Sequence, residues 1–267
     1  MSKLSTERFS DRVENYVRYR PGYPPEVLEL LRRECGLRPE HVIADIASGT
    51  GIFTRLLLEN GNPVFAIEPN AEMRAASNHL QESFPNLTLM AGTAEQTGLP
   101  DASVDLVTVA QAAHWLEPAP ARAEFERIVR TNGGRTNGGR TNDGKPSGWC
   151  VLLWNERRTA GSVFLEEYEA LLQNYCPDYK DKRHGDTGRI AHEFFPDGCR
   201  EETFRNDQQF DFQGLAGRLL SSSYCPLQEH PNYAPMMKEL ERIFHAHARQ
   251  GKVQFDYDTH VYFRQLH

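Results

Sequence analysis

The stretch Asp45-Ile-Ala-Ser-Gly-Thr-Gly51 constrains this chain more than any other. It continues a short apolar run, residues 42–44, and is answered by Glu68 at the end of a second apolar run, residues 64–67. A strand, a glycine-rich turn into a helix and an acid at the tip of the next strand describe a crevice for an adenosine-bearing ligand. Gly49 and Gly51 let the backbone turn sharply and approach a ligand closely. Glu68 can accept from both hydroxyls of a ribose. Asp45, before the turn, is placed to accept from an ammonium group, directly or through water, and would repel a pyrophosphate.

That last property separates two uses of such a loop. Dinucleotide sites want GxGxxG with no acid facing the phosphates, whereas this chain reads DxAxGxG, with Ala47 where the first glycine would stand. On these residues the chain resembles the class I S-adenosylmethionine-dependent methyltransferases, whose first motif reads roughly [DE]xGxGxG and whose second strand ends in an acid. Ala47 is a mild departure that adds one methyl group to the loop. The resemblance implies S-adenosylmethionine as cofactor, contacted by Asp45, Ala47, Gly49 and Gly51, by Glu68, Pro69, Asn70 and Met73 after the second strand, by Thr93, Ala94 and Glu95 after the third, and by Gln111 after the fourth. The backbone of Ala94 and the carboxylate of Glu95 would lie against the adenine; a solvated Glu95 is the alternative. Asp101 and Asp105 read as turn formers.

The fourth strand runs into Ala113-His114-Trp115, where the resemblance puts the transferred methyl. Methyl transfer from a sulfonium asks mainly for alignment and a dry pocket, so His114 reads first as a positioning group and second as a base. Trp115 is a cation–π partner or a pocket wall. Before the first core helix, Phe9, Tyr16, Arg20, Pro21, Tyr23 and Pro24 match FxxxAxxYxxxRPxYP, and so resemble the opening segment of trans-aconitate methyltransferase-like enzymes. In that reading Tyr16, Arg20, Tyr23, Trp115 and Tyr224 line the acceptor side or its lid. Arg20 is a carboxylate clamp or a surface ion pair, and Tyr16 and Tyr224 are phenol donors or packing groups. The resemblance covers residues 9–155 well and is looser beyond.

Elements alternate along the chain as in a doubly wound sheet. Strands are expected at 42–46, 64–67, 87–90, 104–110, 150–155, 208–212 and 253–263. Helices are expected from Pro24-Pro25 to Gly36, at 50–59, from an Asn70 cap to about Phe84, at 118–129 and 166–175, ahead of Ser222-Ser223-Tyr224, and at 235–250. The fold class expected is thus α/β, a doubly wound, seven-stranded, mostly parallel Rossmann-like sheet with helical cap elements from the N-terminus and the C-terminal third. The resemblance adds the strand order 3-2-1-4-5-7-6 with strand 7 antiparallel. One methyltransferase domain accounts for 1–267: a cap and first helix at 1–37, a cofactor-binding core at 38–160, and cap helices with closing strands at 161–267. The repeat Thr131-Asn-Gly-Gly-Arg135, copied at 136–140 and degraded at 141–145, holds no apolar residue and reads as a surface loop at 131–148.

Acidic residues outnumber basic ones 37 to 30, for a net charge of −7, which disfavours a nucleic-acid partner. The five cysteines are odd in number and widely spaced, a pattern of reduced thiols in a cytoplasmic protein. No apolar run approaches membrane-spanning length. His245 and His247 stand two apart in a helical stretch, and His184 and His192 have no acid or thiol at ligand spacing, so no metal centre is expected. The function expected is methyl transfer to a small-molecule acceptor, with carboxylic acids in view. The alternatives are methylation of a protein or RNA group and a non-catalytic S-adenosylmethionine-binding regulator. The oligomeric state is not legible.

Overall fold

A computed structural model describes residues 13–130, 148–179 and 187–266. The repeat at 131–147, the opening residues Phe9 to Asp11, His184 and the side chain of Tyr16 lie outside the described residues.

Seven strands form one sheet: β1 (Ile43–Ile46), β2 (Val64–Ile67), β3 (Leu87–Met90), β4 (Leu106–Ala110), β5 (Trp149–Arg157), β6 (Arg200–Phe210) and β7 (Val253–Gln265), in the order β3-β2-β1-β4-β5-β7-β6. The pairs β1–β2, β1–β4, β2–β3 and β4–β5 are parallel. β7 runs against β5: the Arg158 amide donates to the Asp256 carbonyl at 3.0 Å and the Leu266 amide to the Gly148 carbonyl at 2.8 Å, so one number rises as the other falls. The expected order and the reversed seventh strand are both present. The helices are α1 (Val13–Tyr19), α2 (Glu26–Glu34), α3 (Ile52–Glu59), α4 (Ala71–Ala76), α5 (Asn78–Ser83), α6 (Pro118–Ile128), α7 (Val163–Tyr175), α8 (Thr187–Phe194), α9 (Phe212–Leu220) and α10 (Tyr233–His247).

Four expectations need correction. The helix capped by Asn70 is broken at Ser77 into α4 and α5, since the Ser77 hydroxyl and amide both turn back to the Arg74 carbonyl, which competes with the helical ladder. α1 and α8 are helices where none was expected. Strand β6 starts at Arg200 rather than Gln208; it is the sheet's edge, and its polar residues are those an edge tolerates. Residues 104 and 105 are not in β4, although Val104 makes an isolated parallel bridge to Val129.

The chain divides into two compact units. The larger comprises residues 22–154, 186–204 and 259–267. On one side of its strands Ile46, Val107, Val109 and Trp154 pack with Phe125, Phe194, Tyr262 and Leu266; on the other Ile43, Ala66 and Leu153 pack with Leu30, Phe53, Leu57 and Val261. The smaller comprises residues 1–21, 155–185 and 205–258. There α7, α9 and α10 bury Tyr168, Leu172, Leu215, Leu240 and Phe244 around Phe255 and Tyr257. Gly217 of α9 lets Tyr19 of α1 come close: a Cβ there would sit 2.0 Å from the ring. The described cysteines are free thiols.

Candidate active site

The carboxyl ends of β1, β2 and β4 converge in the larger unit. Asp45, 0 % exposed, stands beside Thr108 across the β1–β4 pair. Its two oxygens accept from Thr108 Oγ1 at 2.8 Å and Thr54 Oγ1 at 2.6 Å. Burial raises its carboxyl to about 6, against the pull of the two hydroxyls. The carboxylate expected to face an ammonium group also fastens β1, β4 and α3 together behind the loop. Neither threonine is singled out by the sequence, because a hydroxyl partner nine or sixty-three residues away leaves no local pattern.

The loop itself is shaped by left-handed residues. Ala47 has φ of +51°, a conformation that explains why glycine suits that position. Gly51 has φ of +82°, and a Cβ on it would lie 2.6 Å from Leu80 of α5. The break at Ser77 is what brings α5 to this glycine. Gln111, just after β4, is a second non-glycine residue at positive φ, +59°, with its amide donating to the Leu153 carbonyl at 2.8 Å. Strained backbone at the ends of two neighbouring strands marks the crevice.

Glu68 closes the loop from the side. Its Oε2 accepts from the Gly49 amide at 2.8 Å and its Oε1 from the Asn70 amide at 2.9 Å. Burial raises its carboxyl while those amides and Arg74 oppose the rise. Each oxygen keeps a further acceptor site, so the arrangement leaves capacity for two ribose hydroxyls. Pro69 follows, and Asn70 caps α4 by accepting from the amides of Glu72 and Met73, both at 2.9 Å. Met73 is buried with its methyl 3.5 Å from where a Gly49 Cβ would sit.

After β3, Thr93 and Gln96 exchange backbone hydrogen bonds, Ala94 is buried, and Glu95 Oε1 accepts from the Glu117 amide at 3.3 Å, at the start of α6. That carboxylate therefore also serves as a helix cap. After β4, residues 113–115 form a single 3-10 turn with the His114 and Trp115 rings 4.7 Å apart. Tyr23 packs edge-on to Phe53 at 4.8 Å, at the rim of the core. In the smaller unit Arg20 donates to Ser221 Oγ and to its carbonyl, both at 3.1 Å, and Tyr224 meets the Tyr179 ring at 5.0 Å. Asp101 pairs with Arg127, and Asp105 holds the Val42 amide and Arg130, as turn-side acids do. No metal-holding group of three or more His, Cys, Asp or Glu exists among the described residues.

A third threonine is also absent from the sequence reading. Thr50 is 4 % exposed and its Oγ1 has no partner. A buried, unsatisfied hydroxyl inside the glycine loop is an atom that a bound ligand would satisfy.

The strand order, the reversed seventh strand and the acid-flanked glycine loop define the class I methyltransferase fold. Comparison with known proteins agrees. Residues 44–134 match the methyltransferase domain family. An uncharacterised methyltransferase of Mycobacterium tuberculosis is 38% identical over 141 residues, 53% of this chain and 55% of that protein. A methyltransferase-like protein of Schizosaccharomyces pombe is 31% identical over 177 residues, covering 66% and 62%. The chain spans about half the length of the first of these relatives. Among solved structures, a protein of Anaeromyxobacter dehalogenans assigned by name to the type II methyltransferases superposes with a TM-score of 0.65 over 93% of this chain and 99% of that one, at 19% identity. A phosphoethanolamine N-methyltransferase of Haemonchus contortus, solved with S-adenosylhomocysteine, gives 0.51 over 95% and 57%, at 12% identity.

Proposed function

We propose that this chain binds S-adenosylmethionine and transfers its methyl group to a small-molecule acceptor in the cytoplasm, carboxylic acids being the first class to try. The observation that carries the reading is Glu68: one carboxylate holds the glycine loop by the Gly49 amide, reaches the Asn70 amide, and keeps acceptor capacity for a ribose. The charge of the crevice supports it. The Glu68 carboxylate adds to the upward shift of Asp45, and two acids beside one loop favour a cationic cofactor and repel a pyrophosphate. Thr50 adds a donor inside the loop.

When bound, the cofactor supplies a methyl group already activated on a sulfonium. The chain's own residues then have a limited task. Asp45, through Thr54 and Thr108, fixes the loop; Glu68 orients the ribose; Met73 and Ala94 supply apolar walls; and the backbone at Gln111 brings the chain into the 3-10 turn that carries His114 and Trp115. Rate then comes chiefly from alignment and exclusion of water, with His114 positioning the acceptor. The resemblance to trans-aconitate methyltransferase-like enzymes favours an acid as acceptor.

Calorimetric titration with S-adenosylhomocysteine, with NAD as control, tests the reading. Binding at micromolar Kd and no heat with NAD are expected, and Glu68→Ala should raise Kd by about two orders of magnitude while melting cooperatively. Unchanged affinity in that variant would remove the ribose assignment, and a silent wild type would remove the cofactor class.

A further inference from the structure

The smaller unit buries two guanidinium groups, and the chain treats them differently. Arg157 is matched by an acid: it is ion-paired with Glu169, and also donates to the Tyr179 hydroxyl at 2.9 Å. Arg218, on the last turn of α9, is 6 % exposed. Its Nε donates to the Tyr257 hydroxyl at 2.9 Å and its Nη1 to Ser222 Oγ at 3.2 Å. Its guanidinium carbon lies 5.8 Å from the ring centroids of both Phe255 and Tyr257. Every described partner of Arg218 is a neutral hydroxyl or an aromatic face, and none is a carboxylate. The phenol of Tyr224 lies within electrostatic reach of both guanidiniums.

A buried cation held only by neutral groups costs several kcal/mol, and arginine cannot escape by shedding its proton. The negative end of α9 offsets only part of a charge. Among the described residues, two guanidiniums against the single carboxylate of Glu169 leave this cluster one positive charge in excess, and the fork of Arg218 suits a planar oxyanion. We propose that Arg218, with Ser222 and Tyr257, is the centre of a binding site for the carboxylate of a small organic acid. One excess charge matches a single carboxylate better than a phosphate dianion. The site is argued within its own unit and goes beyond the methyl-transfer reading, so either can fail alone.

The full-length protein is titrated by thermal shift and calorimetry with mono-, di- and tricarboxylates, their neutral amides, and inorganic phosphate, all at millimolar concentration. Carboxylates should raise Tm saturably, and the amides should not. Arg218→Met removes the charge and keeps the length: its free Tm should equal or exceed that of wild type, because the uncompensated cation is gone, and the carboxylate response should vanish. Ser222→Ala keeps the cation and should weaken carboxylate binding about tenfold without unfolding the protein. A lowered Tm in Arg218→Met with an unchanged response in Ser222→Ala would mark Arg218 as a packing residue and overturn the proposal. So would a wild-type response to no carboxylate, or to phosphate alone. Affinity for S-adenosylhomocysteine, measured alongside, reports on the other reading and is expected to be unaltered in Ser222→Ala.

Discussion

Ala47 holds a backbone shape that alanine resists, with φ of +51°. A non-glycine residue in the left-handed region costs about 1–2 kcal/mol, while glycine gives back up to about 1 kcal/mol through the greater freedom of its unfolded chain. Ala47→Gly should therefore raise the unfolding free energy by about 0.5–1 kcal/mol, read as a higher urea midpoint at constant slope. A lower midpoint would mean that the extra methyl is used in packing. The glycine spacing and the answering acid were readable in the sequence because the backbone demands them locally. The positive φ of Ala47 and Gln111 was not, since nothing in an alanine or a glutamine announces it. Thr50, Thr54 and Thr108 escaped for a related reason: threonine in a strand or helix is commonplace, and only the meeting with Asp45 gives two of them a role.

Asp45 acts at the scale of elements, because its carboxyl ties β1 to β4 and to α3. An acid whose folded pKa is raised is bound to its proton more tightly in the folded chain. Its stabilising share is therefore complete below the unfolded pKa of 3.8 and is lost as pH rises through about 6. Asp45→Asn keeps an acceptor for a threonine hydroxyl and cannot ionise. Between pH 4 and 6 the wild type should lose on the order of 3 kcal/mol relative to this variant, with a constant difference above pH 6; urea midpoints across pH 4–8 give the comparison. A difference independent of pH would show that the acid is not the buried group described. Most elements were legible from their periodicity, β1 to β5 nearly to the residue. The edge strand β6 was shortened because both of its faces carry polar residues, which removes the alternation on which a strand is recognised. The break at Ser77 was hidden because the apolar spacing of Met73 and Leu80 continues across it.

At the scale of the whole molecule, the unit that holds the glycine loop is not one stretch of chain. Its core against Ile46 and Val109 is completed by Phe194, the last residue of α8, by Phe195 after it, by Tyr262 of β7 and by Leu266 just beyond β7. A chain cut after residue 160 keeps every candidate cofactor residue and loses these four. It should show no cooperative thermal transition by circular dichroism, whereas a sharp melt would prove the first part of the chain self-sufficient. The strands were readable from their patterns and their order followed from the resemblance, but this interleaving did not, since sequence patterns report neighbours along the chain rather than partners a hundred residues apart. The same interleaving has a bearing on biosynthesis. A ribosome makes the glycine loop long before residues 194, 195, 262 and 266, on which the apolar faces of β1 and β4 wait, so the nascent chain carries an uncovered sheet over that interval and is at its most aggregation-prone just before β7 emerges.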